Sequence, residues 1–404
     1  MNRRFQFAVV ASSTCLVVLL LFGAVRGRSA SADSPYNHLG VYSEVLSRIK
    51  ADYVEEPDMK AVTVGAINGM LESIDPYASY LNADQYKQYL KSKETAPKAD
   101  VGLTLSRRFG YLSVVDALPG SPAAKGKLTT GDVIESINNV STRDMPLAFS
   151  EMLMQGDSGS TLELSVLRVR KTDAQKVTLT RAPLVYPPVS GKLVTDQGPE
   201  PIGVIQTYTL SKGRVKDIAA KIAELQKQGA KRLILDLRHC STGDAEEGVA
   251  LANLFMDKGL ITYTQGQKST REDQQATAAK AVTTMKLAVI VNRGTAGPAE
   301  IASAALLDSK RADVIGERTY GNAAVRRAIK MDDGGALILS VAKYYSPAGK
   351  AIQDTGVTPN VVETQADADP SAQDLDDDSQ ADVTVGDKPS VDTMMRRAIL
   401  TIKQ

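Results

Sequence analysis

The second half of the chain alternates short apolar runs with segments of helical period, and this alternation limits the possible folds more than any other feature of the sequence. Apolar runs without polar interruption are typical of strands that are buried on both faces. Strands that alternate with helices predict an α/β sheet, here over residues 185–363. The predicted strands are 202–205, 233–237, 287–291 and 314–316, and the predicted helices are 215–228, 246–255 and 298–307.

A small helical region is predicted near the start of the chain, over residues 33–98. Apolar residues recur at helical spacing in 42–49 and again in 62–71. Asp75-Pro76 follows the second segment, and a residue before proline disfavours helical geometry. We therefore expect the second helix to end there.

A mostly β module is predicted over residues 99–184, because the apolar period changes to two from Ala99 onward. Ser121-Pro122 has the pattern of a helix N-cap followed by proline in the first turn. Asn138-Asn139 has the pattern of a hairpin tip. The predicted strands lie within 102–105, 111–115, 133–137 and 162–167.

The first 32 residues have the pattern of an export segment. Two arginines precede an apolar stretch at 5–25, and Ala-Ser-Ala at 30–32 offers a cleavage site. Arg26 and Arg28 instead favour an uncleaved membrane anchor, so both fates remain open. Either fate places most of the chain in the periplasm or another extracytoplasmic compartment, anchored to the inner membrane if the segment is retained.

Charge and cysteine content exclude several classes of partner and site. Lys and Arg number 48 against 47 Asp and Glu, so no basic excess indicates a nucleic acid partner. Cys15 lies inside the apolar stretch, which leaves Cys240 alone in the rest of the chain and excludes an internal disulfide. One such cysteine and two distant histidines give no metal-ligand spacing, so we expect no metal and no cofactor.

An acidic segment precedes the C-terminus. No lysine or arginine occurs between residues 351 and 387, and four aspartates cluster at 374–378. This composition predicts a solvated linker over 364–388, followed by a C-terminal helix within 389–404. Metal binding by the cluster is the alternative, although the segment lacks the spacing of a calcium loop.

The β module resembles a PDZ domain of the circularly permuted bacterial kind. The resemblance rests on Gly-Ser-Pro-Ala-Ala at 120–124, Gly-Asp-Val-Ile at 131–134 and Ile-Asn at 137–138. It implies that a loop formed by Val101, Gly102, Leu103 and Thr104 turns backbone N–H groups toward the terminal carboxylate of a peptide, which adds as a β-strand to the domain edge. A PDZ-like spacer that binds nothing is the alternative.

Segments on both sides of this module resemble the carboxyl-terminal processing, or tail-specific, proteases, over nearly the whole mature chain. The resemblance implies a helical region, a PDZ-like domain and an α/β protease core of the ClpP/crotonase kind. It rests on segments at 69–71, 73–77, 235–238, 292–296, 300–301, 316–321 and 344–347.

The residues that carry catalysis in this family are replaced here. The resemblance implies a serine nucleophile after Gly-Thr-Ala, where this chain has Gly297 followed by Pro298. It implies a lysine base within Gly-Lys-Gly, where this chain has Asn322. Arg326 stands where the family often has a glutamine or glutamate that orients the lysine. We therefore expect that the three catalytic positions, 297, 322 and 326, lack the catalytic side chains of the family.

The oxyanion loop also departs from the family pattern of Asn-Pro-Gly-Gly, because the chain reads Cys-Ser-Thr-Gly at 240–243. We expect a cleft lined by Thr242, Gly243, Ala296 and Pro298. Other groups are candidates for a displaced active site. They are a His239/Cys240 pair, expected on opposite faces of one strand, and the hydroxyls of Ser241, Thr242, Thr295 and Ser303.

The catalytic groups of the family are missing, whereas its binding elements are retained. This combination predicts an exported pseudoprotease. We expect it to bind exported polypeptides or protein C-termini through the PDZ-like groove and the inherited cleft, as a scaffold or as a regulator of an active protease partner. An active serine-type endopeptidase that processes C-termini with a displaced nucleophile is the alternative. A structural subunit whose groove binds nothing is a third.

Overall fold

The computed structural model describes residues 35–365 and 392–404, except for 95–97, 109, 144, 170 and 199. The apolar stretch at 5–25, the cleavage site at 30–32 and most of the acidic segment lie outside the described residues. In the part of the chain that is described, no helix combines the length and the apolar character that a membrane crossing requires.

Two helices open the described chain, which divides into two compact units after Ala66. They are α1 (Pro35–Asp52) and α2 (Met59–Ile74). The predicted stop after α2 is confirmed, because the amide nitrogen of Tyr77 donates to Asp75 Oδ1 at 2.8 Å and closes a turn. Strand β1 (Ser79–Leu81) and helix α3 (Ala83–Glu94) follow.

The β-rich module is a single antiparallel sheet with two short helices. Its order is β2-β3-β4-β6-β7, with β5 paired to β4, so β2 is an edge strand. Both predicted local signals are confirmed: Ser121 Oγ accepts from Ala124 N at 3.1 Å, and Asn138 and Asn139 have positive φ at the β4–β5 turn. The elements are β2 (Leu103–Arg108), β3 (Tyr111–Ala117), α4 (Pro122–Lys125), β4 (Val133–Ile137), β5 (Val140–Ser141), α5 (Leu147–Met154), β6 (Thr161–Leu167) and β7 (Ala174–Thr180).

The α/β core begins after Pro187-Pro188 and carries strands and helices in alternation. Its elements are β8 (Ser190–Val194), β9 (Ile202–Gln206), β10 (Thr209–Leu210), α6 (Arg214–Lys227), β11 (Arg232–Asp236), β12 (Thr242–Gly243), α7 (Ala245–Asn253), β13 (Leu260–Gln265), β14 (Glu272–Gln275), a 3₁₀ turn (Ala278–Lys280), β15 (Lys286–Val291), α8 (Pro298–Asp308), β16 (Ala312–Gly316), β17 (Ala324–Lys330), β18 (Ala336–Tyr345), β19 (Val361–Val362) and α9 (Thr393–Lys403).

The central sheet has the order β19-β16-β15-β11-β9-β8 and is parallel except for β8. The apolar run in β11 explains its position, because successive side chains point to opposite faces. Leu233 and Leu235 join the cluster that contains residues of α6, α7 and α8, whereas Ile234 joins the cluster formed with α9. The predicted α/β sheet, with strands buried on both faces, is confirmed, and the structure shows that its pairing is mainly parallel.

A second sheet, antiparallel, was not predicted from the sequence. It has the order β1-β18-β13-β14, with β17 also paired to β18. The pairing of β1 with β18 brings the turn after α2 against the core, where the hydroxyl of Ser340 donates to the carboxylate of Asp75. This sheet matters for the site because β17 carries Arg326.

Candidate functional site

Three loops that follow parallel strands meet at one edge of the central sheet. β11, β15 and β16 are neighbours, so their carboxyl ends lie side by side. The loops after them contain Ser241, Gly297 and Asn322, respectively. A Cβ atom added at Gly297 would lie 3.6 Å from the carbonyl oxygen of Asn322 and 4.0 Å from that of Ser241. Residues far apart in sequence thus surround one turn.

The turn at Gly297 has a backbone conformation that favours glycine, with φ 61° and ψ −121°. Its amide nitrogen donates to Glu300 Oε2 at 2.9 Å. The amide nitrogen of Ala296 donates to the carbonyl of Cys240 at 3.0 Å, and Pro298 has no backbone N–H. None of these three consecutive residues therefore offers a free backbone N–H to an oxyanion.

Glu300 in the first turn of α8 holds the Gly297 turn against the Asn322 loop. Oε2 accepts from the amides of Gly297 and Asn322, the latter at 2.8 Å. Oε1 accepts from the Gly321 amide at 2.7 Å and from the Thr319 hydroxyl. Burial raises the pKa of Glu300 to about 7, against the four hydrogen bonds that lower it. Its sequence signal is a glutamate three residues after a turn glycine, the N3 position of a capping box.

Arg326 on β17 lies beside Asn322. Its Nη2 donates to Asn322 Oδ1 at 2.6 Å, and its Cζ lies 4.2 Å from the ring centroid of Tyr77. Its Nε is buried without a hydrogen-bond partner. The side-chain oxygen of Asn322 therefore already accepts a hydrogen bond from an arginine. An amide also has no basic lone pair that would accept a proton near neutral pH.

Ser241, a candidate displaced nucleophile, contacts a carboxylate of the PDZ-like domain rather than a histidine. Its Oγ donates to Asp116 Oδ2 at 3.3 Å and lies 2.9 Å from the hydroxyl of Thr104. His239 Nδ1 lies 2.8 Å from Asp116 Oδ1, and its Nε2 lies 3.0 Å from the Asn292 amide. Asp116 thus stands between serine and histidine, so the imidazole does not reach the hydroxyl as it must in a Ser-His-Asp triad.

The expectation that His239 and Cys240 lie on one strand is wrong, because β11 ends at Asp236 and His239 has a φ of 59° in the turn that follows. The side chain of His239 is 47% exposed, whereas Cys240 is fully buried in the hydrophobic core. Burial raises the pKa of the Cys240 thiol far above its ordinary value. A buried thiol of this kind is a poor nucleophile.

The remaining candidate nucleophiles, the hydroxyls of Thr242, Thr295 and Ser303, form hydrogen bonds that hold local structure. Thr295 Oγ1 donates to the carbonyl of Leu237 at 2.9 Å, and Ser303 Oγ donates to the carbonyl of Ala299 at 2.7 Å within α8. Thr242 Oγ1 donates to Thr209 Oγ1 at 3.1 Å. Among the described residues, no group of three or more His, Cys, Asp and Glu is placed to hold a metal ion.

The predicted peptide-binding loop lies next to the cleft. Leu103 and Thr104 begin the edge strand β2, Val101 is buried in the core of the sheet, and Gly102 has a φ of 79°. The amide nitrogen of Gly102 donates to Asp100 Oδ1 at 2.7 Å, so the chain's own carboxylate occupies this donor. The Thr104–Ser241 contact, together with one between Ser106 and the hydroxyl of Tyr320, joins β2 to the core loops.

Comparisons with known proteins identify the families that this architecture resembles. Residues 201–363 match peptidase family S41, and residues 113–168 match the PDZ domain. The carboxy-terminal processing protease CtpA of Bacillus subtilis (strain 168) is 31% identical over 357 residues, which cover 88% of this chain and 74% of that protein.

A carboxyl-terminal-processing protease of Picosynechococcus sp. is also 31% identical, over 342 residues that cover 83% of this chain and 80% of that protein. The solved structure of a photosystem II D1 C-terminal processing protease superposes with a TM-score of 0.67 at 27% identity, covering 79% of this chain and 86% of that one. The expected fold class, a PDZ-like domain with an α/β protease core, is confirmed. The chain therefore belongs to the family of carboxyl-terminal processing proteases.

Proposed function

We propose that this protein is a non-catalytic member of its family, which binds the C-termini of exported polypeptides and acts as a scaffold or as a regulator of an active protease. The turn at Gly297 carries the proposal. It has no hydroxyl, its own amide is bonded to Glu300, and Pro298 supplies no N–H. Acyl transfer needs a nucleophile, a base and oxyanion donors together, and each is absent from its family position here.

The groups around the turn support inactivity further. A lysine acts as base only when it is neutral and within hydrogen-bond reach of the nucleophile. In its place stands Asn322, whose side-chain oxygen accepts a hydrogen bond from Arg326 at 2.6 Å, and an amide does not act as a base near neutral pH. Ser241 is nearby, but its hydroxyl is bonded to Asp116 and Thr104.

Binding elements remain on both sides of the cleft. Strand β2 is an edge strand, and a peptide strand can add to such an edge through main-chain hydrogen bonds. We assign this role to the PDZ-like domain at 99–184 and the second contact surface to the core at 185–363. The predicted export segment at 1–32, whether cleaved or retained as an anchor, supports an extracytoplasmic location.

The test measures binding and cleavage on the same samples. The full-length protein is mixed with unstructured peptides that end in apolar residues, and fluorescence anisotropy reports binding while mass spectrometry reports cleavage. We expect saturable binding and intact peptides. Cleavage that disappears in Ser241→Ala, Thr242→Ala or Thr295→Ala would establish the displaced-nucleophile alternative and refute the proposal.

A variant of Gly102 controls for binding by the PDZ-like groove. A Cβ at this position would lie 2.4 Å from Ser121 Cβ, so Gly102→Val distorts the loop at the start of β2. We expect weaker peptide binding by this variant. Equal binding by the wild type and the variant would show that the groove is not used, as in a structural subunit.

A further inference from the structure

We propose that Arg326 is a carboxylate-binding residue, and that the vacated cleft receives the terminal carboxylate of the bound polypeptide at this guanidinium. The inference rests on the proposed function and deepens it, because it names the residue that recognises the C-terminus. It moves the carboxylate contact from the PDZ-like loop to the protease-like core.

The guanidinium of Arg326 is mostly unpaired. It has five N–H donors in a planar fork, and one of them, on Nη2, is bonded to another described residue. Arg326 forms no ion pair within the described part of the chain, and its Nε is buried without a partner. A buried, unpaired donor of a charged group is costly, and a carboxylate is the ligand whose geometry matches the fork.

The described groups around Arg326 form no ion pair that would neutralise its positive charge, which can therefore attract a ligand carboxylate. Glu300, the nearby buried carboxylate, gives both oxygens to three backbone amides and the Thr319 hydroxyl. Glu151 on α5 of the PDZ-like domain lies within electrostatic range of Arg326 but forms no ion pair with it. Tyr77 contributes its ring face, which stabilises the cation without neutralising it.

The PDZ-like loop is less suited to a ligand carboxylate in this structure. The Gly102 amide already donates to Asp100, at 2.7 Å. A second carboxylate at that loop would face the Asp100 carboxylate, and like charges at short range repel each other. Arg326, by contrast, bonds to the side chain of Asn322, whose backbone carbonyl oxygen would lie 3.6 Å from a Cβ atom at Gly297. Arg326 is therefore close to the turn at which we propose that the chain end lies.

The test compares two peptides of one apolar sequence, one with a free C-terminal carboxylate and one with a C-terminal amide. A charge-assisted hydrogen bond predicts that the full-length wild-type protein binds the free acid about tenfold more tightly than the amide. Arg326→Gln should bind both peptides equally. Arg327→Gln, an exposed neighbour on the same strand, should keep the wild-type preference. A third peptide, amidated and with an internal aspartate, distinguishes a side-chain carboxylate from the chain terminus.

The outcomes distinguish a failure of the inference about Arg326 from a failure of the proposed function. A preference that persists in Arg326→Gln and is lost in Gly102→Val overturns the inference while the proposed function stands. Equal binding of acid and amide by the wild type, or preference for the internal aspartate, also overturns it. Peptide cleavage by the wild type refutes the proposed function, yet the acid preference and its loss in Arg326→Gln would still support the inference.

Arg326 packs against Tyr77, so thermal unfolding of the variant accompanies the titration. If Arg326→Gln does not fold, Arg326→Lys replaces it, because lysine retains the charge and loses the planar fork. We expect a threefold or larger fall in the acid preference, roughly the difference between a bidentate and a point-charge contact. An unchanged preference in this variant overturns the inference.

Discussion

At the scale of single residues, the predicted catalytic positions are linked to one another by hydrogen bonds. Gly297 has a backbone conformation suited to glycine. Its amide N–H donates to the carboxylate of Glu300, and the guanidinium of Arg326 donates to the side-chain oxygen of Asn322. Ser241 donates to the buried carboxylate of Asp116 and not to a lysine or a histidine. These contacts form a consistent hydrogen-bonded structure that contains neither a serine–lysine nor a serine–histidine hydrogen bond.

Restoring serine at position 297 should cost stability. A non-glycine residue at φ 61° and ψ −121° is strained by about 1–2 kcal/mol, so Gly297→Ser should lower the free energy of unfolding by that amount. Gly69→Ala in α2, where a Cβ meets nothing within 4 Å, is the matched glycine substitution and should be neutral or stabilising. Urea unfolding measures both. Hydrolytic activity in Gly297→Ser alone would contradict the account of the site.

Glu300 should make stability depend on pH. Its pKa in the folded protein, about 7, lies above the ordinary value of 4.5, so its contribution is present below pH 4.5 and is lost as pH rises through 7. The free energy of unfolding of the wild type relative to Glu300→Gln should therefore fall across this window, by up to ~3 kcal/mol. The measurement is urea unfolding of both proteins between pH 4.5 and 8.

Glu247→Gln is the control for that series. Glu247 also accepts two backbone N–H groups, those of Gly213 and Val215, each at 2.8 Å, but it is only partly buried. Comparison of the two series separates the effect of the fully buried Glu300 carboxylate from the loss of hydrogen bonds to backbone N–H groups. A flat difference for Glu300→Gln would show that four hydrogen bonds keep the carboxylate charged throughout.

At the scale of secondary-structure elements, β2 and β3 connect the PDZ-like domain to the cleft. Thr104 and Ser106 of β2 contact the Ser241 and Tyr320 loops, and Asp116 of β3 contacts His239. The edge strand of the PDZ-like sheet is therefore also a strand that touches the core loops. Under the proposed function, a peptide that adds to β2 would act on the core loops through these contacts.

The Thr104–Ser241 contact should appear as a coupling energy. The variants Thr104→Val and Ser241→Ala, alone and combined, form a double-mutant cycle. A neutral hydrogen bond at 2.9 Å predicts a coupling of about 0.5–1.5 kcal/mol in the free energy of unfolding. The pair Thr104→Val and Ser303→Ala, which share no contact, should be additive. Additivity in the first pair would mean that the contact contributes nothing to stability.

At the scale of the whole molecule, the C-terminal helix completes the core. Helix α9 covers the face of the central sheet that carries Ile234, Ile290 and Ile315. Arg238, at the start of the cleft loop, donates to Asp236 and to Asp392, which also caps α9. A segment that follows the acidic stretch is thus bonded to the residue next to the site.

Truncating a buried side chain of α9 should destabilise the whole protein. Ile402 is fully buried against the sheet, so Ile402→Ala should lower the free energy of unfolding by about 2–5 kcal/mol. Leu400→Ala on the exposed side of the same helix should change it by less than about 0.5 kcal/mol. Chemical denaturation measures both variants. Similar effects of the two substitutions would mean that α9 does not dock as described.

The sequence by itself determined the α/β core and the PDZ-like module, because apolar period, turn residues and motifs are local properties of the chain. The replacement of the catalytic positions is a prediction from the same motifs. The tertiary structure alone decided the antiparallel sheet that carries Arg326, since its pairing joins residues that no short pattern relates. It also decided that Asp116 separates Ser241 from His239 and that Glu300 takes the Gly297 amide. Hydrogen-bond partners between distant segments depend on how the strands assemble, and no local pattern encodes them.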